Sequence, residues 1–480
     1  MTNFINKYKN LSSPAKATLW YTGCNIINKG MALLTTPIFT RVMSEEQYGQ
    51  FSIFQSWVSI LIIFTSLNIF LGGYQKGLIL FGNDIERFTS SQLGLIITIT
   101  SGFLGIYIIN PSFWDELFQL SPALMIAMFV ELYFMPATEL WSAKQRFDYK
   151  YKKYVVLTIL MSFVSLGGGI VAVSLTSYKT EARVFADMLA KSLIGMSLLF
   201  LLFYRGRLFY DKKYWKYALR FNLPLIPHYL SNYILNQSDR LMIGRMVGKA
   251  ATAYYSVAYT ISSMMLLVVT AVNNSLTPFI YKSIEAEKTE NIRRVTNGLV
   301  ILVACLCTCA VAFAPEVIYI FAGGKYMDAI YVIPPIAFSV LFIFLYSLFS
   351  VVEYYYEKTK WISMATCICA LRNLLLNFVF IKIYGYYAAG YTTLICYIFL
   401  AYMHYLFYKK VLQEKMIKYD FYDIKLIQSI SVGSLVLMIV FVVIYKNVLI
   451  RYFIVAIILT VSIINRNKIV NILTTVKDEE

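Results

Sequence analysis

Apolar stretches of roughly 18 or more residues recur along the whole chain, and they constrain its fold more than any other feature. Each is long enough to form a helix across about 30 Å of hydrocarbon. A water-soluble fold could not hide this much apolar surface, because 59% of the 480 residues are hydrophobic and only 14% are charged. The sequence therefore predicts an all-α integral membrane protein.

The spacing of these stretches predicts about fourteen transmembrane helices joined by short loops. We expect no soluble domain, since the longest hydrophilic connection runs only from about Tyr204 to Arg220. We also expect no signal peptide, because the segment from Met1 to Ala15 is polar. The predicted spans begin near Lys16, Tyr48, Phe88, Leu120, Tyr154, Val184, Asn222, Ala250, Val295, Ala329, Lys360, Tyr387, Leu426 and Leu449.

The chain carries a formal net charge of +17. On a soluble protein this excess would indicate a nucleic-acid partner, but in a membrane protein Lys and Arg mark the cytoplasmic loops. With the N-terminus in the cytoplasm, the cytoplasmic segments hold more than three times as many basic residues as the outside segments. We therefore expect both termini in the cytoplasm and no nucleic acid among the partners.

The sequence contains a weak internal repeat with an offset of 204 residues. The segment 41–44, followed by 48–53, corresponds to 245–248, followed by 252–257. In each copy the segment joins a first span to a second span. A further echo, at an offset of 214 residues, relates Glu139 and Lys144 to Glu353 and Lys358.

This repeat predicts two six-helix lobes, at residues 14–205 and 218–410, followed by two further transmembrane helices at 425–466. Lobes with the same even number of helices keep the same orientation in the membrane. They would therefore be related by a pseudo-two-fold axis along the membrane normal, with a cargo cavity between them.

Polar residues inside predicted spans are the best candidates for function, because a charge in hydrocarbon costs about 2.5–3.5 kcal/mol. The spacing places one polar face on the first span and another on the seventh. At the 204-residue offset, Asn28 corresponds to Asn232 and Thr36 to Arg240. We interpret the two faces as lining one cavity, with contacts between helices as the alternative. The faces comprise Asn25, Asn28, Lys29 and Thr36, and Asn232, Asn236, Asp239 and Arg240.

Other charged residues within spans leave more than one interpretation open. Arg372, beside Asn373 and Asn377 in the eleventh span, suits a cavity or a structural contact equally. Glu131 in the fourth span is a candidate proton or cation site, and Asp239 suits either an ion pair or a role with substrate and coupling ion. The basic cavity would attract an anionic cargo.

Three further patterns favour structural roles. Asp187 and Lys191 lie one helical turn apart, which predicts a local ion pair. His228 and His404 titrate in the range needed for proton coupling, but neither has an acidic partner nearby in sequence. The cysteines at 305, 307 and 309 face different sides of a helix, so we expect no metal site, no disulfide and no cofactor beyond a coupling H⁺ or Na⁺.

The segments that carry the repeat also resemble a known family. Leu34–Arg41 with Tyr48 and Gly49, and Asn236–Gly244 with Tyr255, resemble bacterial polysaccharide flippases for O-antigen and capsule repeat units. These belong to the multidrug/oligosaccharidyl-lipid/polysaccharide exporter superfamily. The resemblance covers about residues 14–410.

The resemblance implies a mechanism and a location in the bacterial cytoplasmic (inner) membrane. A polyprenyl-pyrophosphate-linked oligosaccharide would enter between the lobes from the cytoplasmic face while its lipid tail stays among the membrane lipids. Rocking of the lobes would then expose the head group outside. Lys29, Arg240 and Arg372 would contact the pyrophosphate or an acidic sugar. A polysaccharide polymerase and glycosyltransferases of the same pathway are the further partners implied.

Three alternatives remain. A cation-coupled multidrug extruder of the same fold would need an acid that dominates the cavity, for which Glu131 and Asp239 are the candidates. A flippase for the peptidoglycan precursor would suit the helix count. A membrane enzyme would need a large extramembrane loop with catalytic groups, and because every outside loop is short, we do not expect an enzyme.

Overall fold

Local sequence signals set the helix boundaries in the computed structural model, which describes residues 13–287 and 289–464. Within these ranges the regular structure is entirely helical. The helix that begins at Glu45 shows the principle, since Ser44 and Gln47 form a reciprocal capping box at its start. Pro111 and Pro122 each open a helix, a position where a missing N–H costs nothing. The predicted all-α fold is confirmed.

The chain divides by its internal contacts into two compact units, residues 1–253 and 254–480. The boundary falls inside a helix, α11, at Lys249–Ser262. The predicted lobe boundaries stay a prediction. The helices up to this point are α1 (Ser13–Val42), α2 (Glu45–Ser66), α3 (Gly73–Leu80), α4 (Ile85–Ile109), α5 (Pro111–Phe118), α6 (Pro122–Phe147), α7 (Tyr151–Leu175), α8 (Lys179–Gly206), α9 (Lys212–Asn222) and α10 (Ile226–Met246).

The second unit has fewer short connecting helices than the first. Its most buried helix is Ile333–Tyr355, whose sequence is strongly apolar. In the most apolar 18-residue segment of this helix, 83% of the residues are buried. The helices are α12 (Met265–Glu285), α13 (Thr289–Ala312), α14 (Ala314–Ala322), α15 (Ile333–Tyr355), α16 (Thr359–Tyr384), α17 (Tyr386–Glu414), α18 (Ile424–Ile444) and α19 (Val448–Ile464).

Eleven helices of the described chain are long and apolar enough to cross a membrane, so this is a multi-pass membrane protein. Every predicted span begins within six residues of the start of a helix. The first and seventh predicted spans correspond to α1 and α10, which carry the polar faces and are less apolar. The count of fourteen membrane crossings stays a prediction.

Each unit has a central pair of helices. In the first unit α6 packs against α8, with α4 and α7 against the same pair. In the second unit α15 packs against α17, with α13, α16 and α18 around them. The central pairs are the fourth and sixth predicted spans of each repeat, so the two units share a packing scheme.

The hydrophilic connection from about Tyr204 to Arg220 contains a helix that hydropathy alone does not reveal. The α9 helix begins after Asp211, whose carboxylate accepts hydrogen bonds from the backbone N–H groups of Lys213 and Tyr214. Trp215 Nε1 donates to the Ser91 carbonyl of α4 at 2.9 Å. Basic residues on one face and aromatic residues on the other make this an amphipathic helix rather than a loop.

Candidate functional site

The polar residues of α10 form a continuous ladder of hydrogen bonds along one helix face. Asn232 Nδ2 lies 3.2 Å from His228 Nε2, and Asn236 Nδ2 donates to the Asn232 carbonyl at 2.7 Å. Arg240 Nη1 donates to the Asn236 carbonyl at 2.9 Å. Because each step spans one helical turn, the ladder lies along a single stripe of the helix.

Arg240 ends this ladder against a neighbouring helix. Its Nη1 also donates to Gln237 Oε1 at 2.7 Å, and the same oxygen accepts a hydrogen bond from Ser56 of α2 at 3.4 Å. The Arg240 residue is only 9% exposed, and Asp239 beside it is completely buried. The α2–α10 interface therefore holds a buried cation that donates to the Gln237 amide and the Asn236 carbonyl.

The first span places its polar face against a different neighbour. Asn28 Oδ1 accepts a hydrogen bond from Ser162 of α7 at 2.8 Å, and α1 packs along α7. Thr36 is buried. The side chains of Asn25 and Lys29 lie outside the described residues. A shared cavity lined by α1 and α10 stays a prediction.

A cluster of buried charges joins the central helices of the first unit. Lys191 Nζ of α8 lies 2.5 Å from Glu131 Oε1 of α6 and 2.9 Å from Asp187 Oδ2 one turn back. Ser165 of α7 donates to the other oxygen of Asp187, and Gln55 of α2 donates to Asp187 at 3.3 Å. The predicted Asp187–Lys191 pair is confirmed, and Glu131 has a cationic partner.

Arg183 adds a second cation to this cluster and was missed by the sequence analysis. Its Nη1 donates to the Ser165 carbonyl at 3.1 Å, and its guanidinium lies 4.3 Å from the centre of the Phe39 ring. A Cβ at Gly169 would collide with the same guanidinium. The predicted span began near Val184, which left Arg183 in a loop, whereas α8 begins at Lys179. The turn spacing of Arg183 and Asp187 is the signal that could have found it.

In the second unit, Arg372 and Asn377 of α16 both contact α17. The Arg372 guanidinium lies 4.3 Å from the centre of the Phe399 ring of α17, a cation–π contact. Asn377 Nδ2 donates to Asn373 Oδ1 at 3.1 Å, and Thr392 of α17 donates to Asn377. Both asparagines are completely buried. Arg372 is half-buried, which suits a contact in a cavity and a packing contact equally.

The second unit also contains a buried acid–base pair that the sequence analysis did not find. His404 Nδ1 of α17 lies 2.8 Å from Glu353 Oε1 of α15, and both residues are completely buried. The two residues are 51 positions apart, so no local spacing relates them. The fold supplies the acidic partner that the sequence did not show for this histidine.

Arg451 joins α19 to the short helix α14, which lies between two spans. Its guanidinium pairs with the Glu316 carboxylate, Nη1 donates to the Ala312 carbonyl at 3.2 Å, and Tyr452 donates to Glu316 Oε1 at 2.6 Å. Burial acts to raise the pKa of Glu316, but the hydrogen bonds from Tyr452 and Arg451 outweigh it and hold that pKa below its ordinary value. The last helix is thus tied to the second unit by an ionised pair.

The sequence signature of the family described as "Polysaccharide biosynthesis protein" matches residues 15–284. The chain belongs to this family. A second signature, MatE, matches residues 224–379. The resemblance to polysaccharide flippases that the sequence indicated is confirmed.

Relatives and solved structures agree with the family. A Lsg locus protein of Haemophilus influenzae is 21% identical over 287 residues, which are 57% of this chain and 67% of that protein. The structure of "Lipid II flippase MurJ, inward closed conformation" aligns with a TM-score of 0.70 and 17% identity, over 94% of this chain and 100% of that one. A multidrug resistance MATE family transporter of the MOP superfamily, inward-facing, aligns with a TM-score of 0.59 and 12% identity, over 82% and 96%. These two solved structures are of a flippase and a transporter.

Proposed function

We propose that this protein translocates a polyprenyl-pyrophosphate-linked oligosaccharide repeat unit from the cytoplasmic to the outer face of the bacterial inner membrane. The transported unit would serve the synthesis of O-antigen, capsule or exopolysaccharide. Membership of the polysaccharide biosynthesis family supports the class of cargo. The observation that carries the proposal is the buried Arg240 at the end of a polar ladder in a membrane helix.

The ladder suits a phosphorylated sugar better than an apolar cation. A guanidinium pairs with phosphate oxygens through parallel hydrogen bonds, and the amides of Asn232 and Asn236 offer both donors and acceptors to sugar hydroxyls. A cationic drug would be repelled by Arg240. We assign the contacts with the pyrophosphate or an acidic sugar to Lys29, Arg240 and Arg372, with Asn28 on the same path.

Transport would proceed by alternating access of the two predicted lobes. The head group would occupy the polar path while the lipid tail remains in the bilayer. We place both termini in the cytoplasm because of the distribution of Lys and Arg. Glu131 and Asp239 are our candidates for coupling to H⁺ or Na⁺, and a polymerase and glycosyltransferases of the same pathway would be the partners.

The direct test is deletion of the gene in its own host, followed by profiling of lipid-linked oligosaccharides. We expect a single repeat unit to accumulate on its carrier lipid, with loss of the surface polymer and rescue by this gene alone. Unchanged surface polymer together with raised sensitivity to cationic compounds would favour a multidrug extruder. Accumulation of the peptidoglycan precursor instead would favour a flippase for that lipid, whose structure shares this fold.

The site is tested by substitution in the rescued strain. We expect Arg240→Ala, and likewise Lys29→Ala, to reduce surface polymer by about tenfold or more while leaving the amount of protein in the membrane unchanged. Arg245→Ala is the matched control for Arg240, because Arg245 is an exposed arginine near the end of the same helix. If the Lys29 and Arg240 variants both export normally, the basic path is wrong although the family assignment stands.

A further inference from the structure

The Glu353–His404 pair is a buried ionisable group that the proposed transport path does not use. One contact joins the two side chains, 2.8 Å between Nδ1 and Oε1. The other polar atom of each, Oε2 of Glu353 and Nε2 of His404, is buried and has no hydrogen-bond partner among the described residues. Ionisable residues inside a membrane are costly, and they commonly mark proton or ion pathways.

Aromatic side chains enclose the pair on its own two helices. The Tyr346 ring stacks on the imidazole with the ring centres 5.5 Å apart, and the Phe407 ring meets it edge-on at 6.3 Å. The phenol of Tyr354 is close enough to Glu353 to interact electrostatically. These neighbours exclude water but supply no charge to balance the carboxylate.

Three basic side chains of the surrounding segments have other partners. Lys358 Nζ lies 2.6 Å from Glu414, Lys409 Nζ lies 2.8 Å from Asp420, and Arg372 of α16 stacks on Phe399. Other titratable groups on the neighbouring helices also have partners. Tyr281 of α12 makes a ring contact with Tyr355. The others form hydrogen bonds, namely Cys307 of α13 with the backbone of Leu341, Cys369 of α16 with the Cys396 carbonyl, Tyr408 with Asp420, and Tyr422, which precedes α18, with the Leu348 carbonyl.

The charge on the isolated pair therefore depends on one proton. An ionised Glu353 beside a neutral His404 carries one buried negative charge, whereas the same pair with one added proton is neutral as a whole. Such a proton belongs to the pair rather than to either residue. Losing it inside low-dielectric protein is costly unless the pair reaches water or a cation. Separation of α15 from α17 at that point would let water in.

We infer that Glu353 and His404 form a proton-binding site in the second unit, loaded and emptied as the transporter cycles. The role in the cycle rests on the proposed function, whereas the binding of the proton does not. The pair lies between the two central helices of the unit, so gaining or losing the proton changes the contact that joins α15 to α17. A proton gradient would thereby act on the packing of the unit.

The chain has only two histidines, which makes the site directly observable. The full-length protein, labelled with ¹⁵N-histidine in lipid nanodiscs, should give imidazole signals from His228 and His404 alone, and His228→Gln assigns them. We expect the His404 signals to change from neutral to doubly protonated imidazole as the pH is lowered. In Glu353→Gln they should stay those of the neutral ring, while Glu357→Gln, at an exposed glutamate just beyond α15, should match the wild type.

Two results would overturn the inference. One is a wild-type protein in which neither the His404 ring nor the Glu353 carboxyl group, the latter followed with ¹³C-labelled glutamate, changes its protonation state with pH. The other is a titration that Glu353→Gln leaves unchanged, which would show that the carboxylate is not part of the site. This measurement needs no cargo, so its failure is distinct from failure of the flippase proposal.

The role in the cycle is tested with proteoliposomes and the lipid-linked material that accumulates in the deletion strain. An imposed pH gradient should speed exposure of the head group severalfold in the wild type and leave His404→Gln at its rate without a gradient. Glu353→Gln is the second variant, in case His404→Gln does not fold. Equal wild-type rates with and without the gradient would contradict the coupling role. Absence of transport by the wild type would contradict the proposed function.

Discussion

The two units each join their central helices through a buried acid–base contact, but the basic partner differs. In the first unit Lys191 bridges α8 to α6 through Glu131 and also binds Asp187. In the second unit His404 bridges α17 to α15 through Glu353. Lysine keeps its charge at physiological pH, whereas histidine changes its charge near neutrality. The central helices are thus joined by an ion pair with lysine in one unit and, on our inference, by a proton-binding pair in the other.

The two contacts differ in whether their net charge depends on a bound proton. The Lys191 cluster has two acids and two bases, counting Arg183, so its charges balance internally. The Glu353–His404 pair balances only when a proton is bound.

The strongest way to break the first joint is Lys191→Met. The substitution leaves two buried carboxylates without their shared cation, and we expect a loss of about 3–5 kcal/mol in stability at pH 7. Thermal unfolding of the purified protein in detergent measures it. Lys150→Met is the matched control, because the Lys150–Asp148 pair is exposed and should contribute less than about 1 kcal/mol. Equal effects of the two substitutions would contradict the structural role of the cluster.

The second joint should break at smaller cost. Glu353→Gln removes the negative charge but keeps a hydrogen-bonding side chain beside His404, so we expect a loss of about 1–3 kcal/mol at pH 7. The same unfolding assay, run beside Lys191→Met, gives the comparison directly. A Glu353→Gln variant that loses more stability than Lys191→Met would reverse our ranking of the two joints.

The Glu316–Arg451 ion pair tests whether the pH dependence of stability is confined to the Glu353–His404 contact. Because the pKa of Glu316 is lower in the folded protein than its ordinary value, its stabilising effect is present above the unfolded pKa and is lost as pH falls through the folded one. We expect Glu316→Gln to cost about 1 kcal/mol at pH 7 and almost nothing once the pH has fallen below the lowered pKa of the folded protein. Unfolding midpoints of wild type and variant should therefore converge only in acid. Convergence near pH 6 would show that another group controls this contact.

Neutral polar contacts provide the smallest effect. Asn232→Ala removes one rung of the α10 ladder, and side-chain hydrogen bonds in membranes contribute only about 0.6 kcal/mol on average. We expect a change in stability of that order together with a clear loss of export in the rescued strain. Normal export with a large loss of stability would show that the ladder has a structural role. This is the alternative interpretation, in which these residues form contacts between helices.

The family and the helical layout followed from the sequence because both depend on local patterns. Apolar length locates a membrane helix without reference to the rest of the chain. The Asp187–Lys191 pair was also predictable, since one helical turn fixes its geometry. The α9 helix was missed because its signal is amphipathic periodicity rather than apolar length.

The sequence by itself thus determined that this is an all-α membrane protein of the polysaccharide flippase type, with basic residues inside its spans. Only the tertiary structure decided which residues those charges meet. Lys191 and Glu131 are 60 positions apart, and His404 and Glu353 are 51 apart, so neither contact leaves a local pattern. Helix packing brings these groups together away from water. A charge without a partner would be too costly there.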